Sequence, residues 1–176
     1  LAKFSNLLRY QLYECNDTFI PLDQELAFLE NFFELESLRQ NSSQEVSINL
    51  QPPPHGNFTI APFLLIPFLE NAFKHVSQDE GQVNRVMVNL WLQAEVFHLE
   101  VSNTKRRVPM IGEELVAGGL GLKNVRRRLE LLYPDRHELT IRETERAYTV
   151  DLRISLYASS PQSLGQPVPS PSLSLT

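Results

Sequence analysis

After residue 84 the chain alternates apolar and polar side chains in paired runs, a period of two that no all-helical fold can accommodate. Val86, Val88, Leu90 and Leu92 form one run, and Phe97, Leu99 and Val101 the next. The short polar turn from Gln93 to Glu95 separates them and predicts a hairpin. Glu138 to Thr144 and Tyr148 to Leu156 predict a second hairpin, with Tyr148, Val150, Leu152, Ile154 and Leu156 on one face. Upstream, Val46, Ile48 and Leu50 alternate until the prolines at 52 to 54 break the pattern. Helical periods near 62–76 and 121–133 supply two helices to cover such a sheet. Mixed strands with helices on one face make an α+β fold, a two-layer α/β sandwich and not a doubly wound parallel sheet.

Length and composition bound the rest. With 176 residues, 42% hydrophobic and 21% charged, the chain can bury one substantial core plus an accessory element. It has no run of about 18 apolar residues and no signal-peptide arrangement, so no membrane span is expected within it. The single cysteine, Cys15, excludes an internal disulfide and a cysteine metal cluster. A net charge of −5 argues against a nucleic-acid surface. Arg126, Arg127 and Arg128 form a local basic cluster, read either as a solvated helix face or as a partner for phosphate.

The stretch from Pro67 to His75 carries the first chemical signal. At about 100° per residue, Leu65, Phe68, Leu69, Ala72, Phe73 and Val76 face a core, while Glu70, Asn71, Lys74 and His75 gather along one edge. A carboxylate, an amide, an ammonium and an imidazole together suit a phosphate with its metal. Read alone, the same pattern also describes an amphipathic helix with a solvated edge. About fifty residues downstream, Gly118, Gly119 and Gly121 lead directly into the helix containing Leu122, Asn124 and Val125. Backbone amides at a glycine-rich helix start point outward unobstructed, and the helix dipole favours an anion there.

The amino end is helical in period. Phe4, Leu7, Leu8 and Leu12 share one face, and the chain opens on Leu1 in mid-helix, as a fragment would. After the break at Asn16 to Pro21, Leu22, Leu26, Leu29 and Phe33 step by four, three and four, with Phe28, Phe32 and Leu35 beside them. That width suits a four-helix bundle, with packing into the core of one chain as the alternative. Residues 104–117 have neither period and read as a lid or a mobile surface loop. The Ser- and Pro-rich stretch 158–176 is expected to be disordered.

Four segments together, Phe4 to Leu12, Leu22 to Arg39, Leu69 to His75 and Gly119 to Leu129, resemble the cytoplasmic end of LytS-type bacterial sensor histidine kinases over roughly residues 1–157. The resemblance implies a Bergerat-type ATP-binding sandwich at 42–157, preceded at 1–41 by the tail of a helical dimerisation and phosphotransfer region. It implies a homodimer through those helices and an intact protein on the cytoplasmic side of the inner membrane. ATP and Mg2+ are the implied cofactors and a response regulator the implied partner, with the acceptor histidine upstream of residue 1. Asn71 is the candidate Mg2+ ligand, and Lys74 and His75 would meet the triphosphate. The backbone from Gly119 through Leu120 and Gly121 to Leu122, with Asn124, would hold its far end. Glu70 would order a metal-bound water or assist proton removal from the acceptor. His55, His98 and His137 are expected in a loop, a strand and a turn, away from the chemistry.

Three positions depart from the wider nucleotide-binding superfamily. Asn103 stands where many relatives carry the aspartate that reads the adenine amino group, and an amide forfeits the charge-assisted bond. Ala117 displaces the first glycine of the fuller glycine box. Pro67 occupies the place of the water-activating glutamate of gyrase-like hydrolases, which points to a kinase and away from direct hydrolysis. A degenerate nucleotide-binding module that only scaffolds signalling is the alternative.

Overall fold

The computed structural model describes residues 17–40, 44–51, 57–77, 83–105 and 120–158. The expectations for residues 1–16, for most of the 104–117 loop, for His55, Ala117, Gly118 and Gly119, and for 159–176 fall outside them. Among the described residues the elements run β1 (Ile20–Pro21), α1 (Leu22–Arg39), β2 (Gln44–Leu50), β3 (Phe58–Ile60), α2 (Ile66–His75), β4 (Asn84–Gln93), β5 (Val96–Thr104), α3 (Leu120–Leu132), β6 (His137–Glu143), β7 (Ala147–Ser155) and β8 (Tyr157–Ala158).

Five strands form the main sheet in the order β2-β4-β5-β7-β6, antiparallel throughout except for the parallel pair β2–β4. Both expected hairpins are present. The first closes with Gln93 opposite Val96, and Ala94 and Glu95 take φ of 46° and 67°, the left-handed pair that a two-residue turn requires. The period of two sorts the faces as read. Val86, Val88, Leu90, Phe97, Leu99, Val101, Val150, Leu152 and Ile154 are buried on one side, against the helices. The other side is polar, with Asn89 donating to Glu100 at 3.0 Å, Arg153 beside Glu138, and Trp91 stacked on His98 at 4.7 Å. Burial and the Arg153 charge lower the pKa of His98 below the usual 6.5, so it is neutral at physiological pH. The layout is the two-layer α/β sandwich expected from the sequence.

Helix α1 packs into the same core. Leu22, Leu26, Phe28, Leu29 and Phe33 are buried, and Phe28 and Phe33 meet Phe63 and Phe73 with ring centroids 5.1 and 5.4 Å apart. Of the two readings of this helix, core packing within one chain is realised over Leu22 to Phe33; Leu38, beyond it, is 81% exposed.

Three details differ from expectation. Residues 62–65 form turns and α2 begins only at Ile66, because Pro67 fits a helix's first turn while Phe63 takes φ 54° and stops the helix reaching further back. His137 opens β6 instead of lying in a turn, held by Nδ1 against the Tyr133 carbonyl at 2.8 Å. A small second sheet, β1-β3-β8, was not expected. It pairs Ile20 with Ile60 and Phe58 with Ala158, so Ala158 belongs to the fold and not to a disordered tail.

Candidate functional site

The segment leading into α2 is fixed before the helix begins. Tyr133, fully buried, accepts a hydrogen bond from the Ala61 amide at 2.8 Å through its hydroxyl. Glu25, equally buried on α1, accepts from the Phe63 amide at 3.0 Å. Arg128 on α3 donates to the carbonyls of Pro62 at 2.7 Å and Phe63 at 3.4 Å. Buried backbone groups ahead of a helix need such partners, and here α1, α3 and Tyr133 just after α3 supply them. Arg128 therefore serves as a tie between elements: half-buried, it is bonded to these backbone carbonyls. Arg126 and Arg127 remain exposed.

Helix α2 then presents the expected edge. Phe68, Leu69, Ala72 and Phe73 are buried, whereas Glu70, Lys74 and His75 are exposed and Asn71 is half-buried. Among the described residues none of these four polar side chains makes a hydrogen bond or ion pair. Lys74 and His75 lie in the last turn, where cations oppose the helix dipole favourably.

The glycine box arrives at the other end of the same helix. A side chain placed on Gly121 would stand 3.9 Å from the Cβ of Pro67, so the first turns of α3 and α2 are in contact. Gly121 does not need a positive φ there. Its contribution is the missing side chain, which leaves the exposed first turn of α3 bare. Leu122 is 3% exposed, so only its main chain is available to a ligand; its side chain anchors α3 in the core. Asn124 is exposed, and the backbone of Leu120 opens the helix.

At its carboxyl end α2 is clamped to β5. The Ser77 amide donates to the Thr104 carbonyl at 2.8 Å, the two hydroxyls lie 2.9 Å apart, and the Ser77 hydroxyl also bonds the buried Asn84 side chain. Asn103, next to that clamp, is 2% exposed. Its amide Nδ2 donates to the Thr104 carbonyl at 3.1 Å, while its Oδ1 is enclosed without a hydrogen-bond partner among the described residues. A buried acceptor left unmatched costs free energy unless a ligand or water completes it. Helix α2 thus runs for about 15 Å from the glycine box at its start to Asn103 at its end.

The donor set fits a magnesium nucleotide. No group of three or more His, Cys, Asp or Glu side chains able to hold a metal occurs among the described residues. A hard cation would instead take the Asn71 amide oxygen and fill its remaining positions with phosphate oxygens and water.

One residue of this region went unread in the sequence. Tyr148, counted there only as part of an apolar face, lies directly opposite Asn103 in the β5–β7 register and is 8% exposed. Its hydroxyl, like Asn103 Oδ1, is enclosed without a hydrogen-bond partner among the described residues. A tyrosine among Val150, Leu152 and Ile154 was the available signal, since a buried hydroxyl ordinarily finds a partner.

Comparison with known proteins agrees with this geometry. A family profile described as "Histidine kinase" matches residues 1–44. The sensor protein LytS of Streptococcus mutans is 26% identical over 159 residues, which covers 85% of this chain and 27% of that protein. The chain thus spans about a quarter of the length of the curated relatives it matches. The histidine kinase domain of a blue-light activated kinase from Erythrobacter litoralis superposes with a TM-score of 0.60 at 18% identity, covering 88% of this chain and 74% of that one. The catalytic domain of the histidine kinase ThkA does so with a TM-score of 0.52 at 14% identity, covering 78% and 94%. The fold is that of histidine-kinase catalytic domains, and the sequence similarity is to LytS-type sensor histidine kinases.

Proposed function

We propose that this LytS-type relative is the ATP-binding catalytic part of a two-component sensor histidine kinase. It would pass the γ-phosphoryl group of ATP to a histidine lying upstream of the catalytic domain, for relay to a response regulator. The observation that carries this reading is the contact between Gly121 and Pro67, which brings the amide-rich start of α3 against the helix bearing Asn71. The domain reading accompanies it: a dimerisation and phosphotransfer tail at 1–41, of which β1 and α1 pack onto the catalytic domain, the catalytic domain at 42–157 and an extension beyond.

The roles follow from chemistry. The base lies toward Asn103, whose enclosed Oδ1 accepts from an exocyclic amino group. The phosphates run along the polar edge of α2 toward the main-chain amides of 120–122, and Asn124 stands near that end; Gly119, expected to share this role, lies outside the described residues. Asn71 offers its amide oxygen to Mg2+, which when bound neutralises charge on the phosphates. Lys74 adds positive charge and His75 a hydrogen-bonding imidazole on the same edge. Glu70, exposed beside Asn71, orders water or receives the proton leaving the acceptor imidazole. Phosphoryl transfer needs chiefly positioning and charge neutralisation, so no nucleophile is required of these residues. In the intact protein the helices upstream form the homodimer, and sensing segments hold it at the membrane. No helix among the described residues is long and apolar enough to cross one.

Calorimetry with MgATP tests the site. Asn71→Asp and Gly121→Ala should each reduce affinity at least tenfold, with melting temperatures close to that of the parent chain. Gly121 tolerates a methyl group sterically, with its nearest neighbour 3.9 Å away, so loss of binding there reports on the ligand and not on folding. Unchanged affinity in both variants overturns the assignment.

A further inference from the structure

Strand β6 is an edge of the main sheet, bonded to β7 on one side and, among the described residues, to no strand on the other. Which main-chain groups that edge shows follows from the hairpin. The Thr144 amide donates to the Ala147 carbonyl and the Ser155 amide to the Arg136 carbonyl, each at 2.8 Å, so the even-numbered residues of this stretch spend their groups on β7. His137, Leu139, Ile141 and Glu143 therefore point theirs outward. The side chains of Leu139 and Ile141 pack against the core, while Glu138, Thr140 and Arg142 stand on the polar side of the sheet.

This edge, His-Glu-Leu-Thr-Ile-Arg-Glu, is complementary to itself when reversed about Thr140. Laid antiparallel on a second copy with Thr140 at the two-fold axis, Glu138 of each copy faces Arg142 of the other. Leu139 faces Ile141, which continues the apolar side, and the outward amides and carbonyls of these two meet as hydrogen-bonded pairs. Glu138 and Arg142 then form non-hydrogen-bonded pairs, in which side chains come closest. Both are available for this, since their side chains are 65% and 70% exposed and their ion pairs within the chain, to Arg153 and Asp151, are long at 3.4 Å. Other registers lose the match. Centred on Leu139, Arg142 meets Arg136; centred on Ile141, Arg142 meets Thr140 and Glu138 meets Thr144; a slip of one residue sets the two apolar sides on opposite faces. The opposite edge strand, β2, has Glu45 as its only charged residue and no such pattern.

We propose that two copies of this domain associate edge to edge through β6, in an antiparallel isologous pairing centred on Thr140 that joins their five-stranded sheets into one. Charged residues on an edge ordinarily keep strands apart. Here their symmetry admits one partner, a second copy in one register. Two seven-residue strands are small for a stable dimer, so the contact is weak in dilute solution and forms where copies are crowded or tethered. It is separate from the upstream helices proposed to dimerise and does not depend on nucleotide.

Disulfide trapping tests it. In a chain carrying Cys15→Ser, Thr140→Cys puts two sulfurs across the axis, where opposed Cα atoms lie about 4.5 Å apart, within disulfide range. In a glutathione redox buffer this variant should form a covalent dimer at least tenfold faster than Glu130→Cys, a control on the exposed face of α3. Adding Arg142→Glu sets like charges opposite each other twice and should slow trapping at least threefold. Adding Glu138→Arg to that should restore the rate, because the within-chain ion pairs that the exchange also reverses are exposed and weak. Equal rates for the two cysteine positions overturn the proposal, as do charge variants that leave the Thr140→Cys rate unchanged. A double charge variant no faster than Arg142→Glu alone overturns it too, since the loss would then be local to one chain and not a matter of pairing.

Discussion

At position 103 the sequence allows only a comparison of side chains: an amide where many relatives have a carboxylate, hence a weaker acceptor for an amino group. The structure adds what the amide's other half does. Its Nδ2 donates to the Thr104 carbonyl, and a carboxylate would set a buried negative oxygen against that carbonyl instead. Asn103→Asp should therefore destabilise the free protein by about 1 to 3 kcal/mol, read as a shift in the urea midpoint. The usual superfamily residue is then the worse choice in this chain. Arg128 teaches the same lesson. Three consecutive arginines gave no basis for separating one from another, yet Arg128 is tied to the Pro62 and Phe63 carbonyls and the other two are exposed. Its partners lie 65 and 66 residues away in sequence, a separation that local pattern does not encode.

Single elements were the most legible scale. Each of the two main hairpins and the helices at 22–39, 66–75 and 120–132 follows from period and breaker residues, because burial on one face imposes that period directly. Boundaries were less legible where a tertiary contact sets them, as at Phe63 before α2. The β1-β3-β8 sheet was invisible, since strands of two or three residues carry no period. The β4–β5 turn yields a prediction at this scale. Ala94 and Glu95 both adopt positive φ, which costs ordinary residues more than asparagine or glycine. The double substitution Ala94→Asn, Glu95→Gly should stabilise the fold by about 1 kcal/mol in chemical denaturation, leaving nucleotide binding at the opposite end of the hairpin untouched.

For the whole molecule, the arrangement of layers decides whether a polar helix edge is a solvated surface or a site. Mixing this chain with a separate helical segment bearing the acceptor histidine, in the presence of labelled ATP and Mg2+, should give transfer of label to that segment. Binding of ATP without any transfer would favour the scaffolding alternative. At the same scale α1 belongs to the core, since it is buried against α2 and its Glu25 holds the Phe63 amide just before that helix. What the sequence by itself determined is the set of strands and helices and the polar edge of Glu70, Asn71, Lys74 and His75, because one-sided burial writes its period into neighbouring residues. What only the tertiary structure decided is which distant residues lie at the two ends of that helix: Gly121 against Pro67 at its start, and Asn103 with Tyr148 opposite it beside the clamp at its end. Strand register and helix packing bring these together across separations of about 45 to 55 residues, and the free energy that selects such contacts belongs to the folded core as a whole.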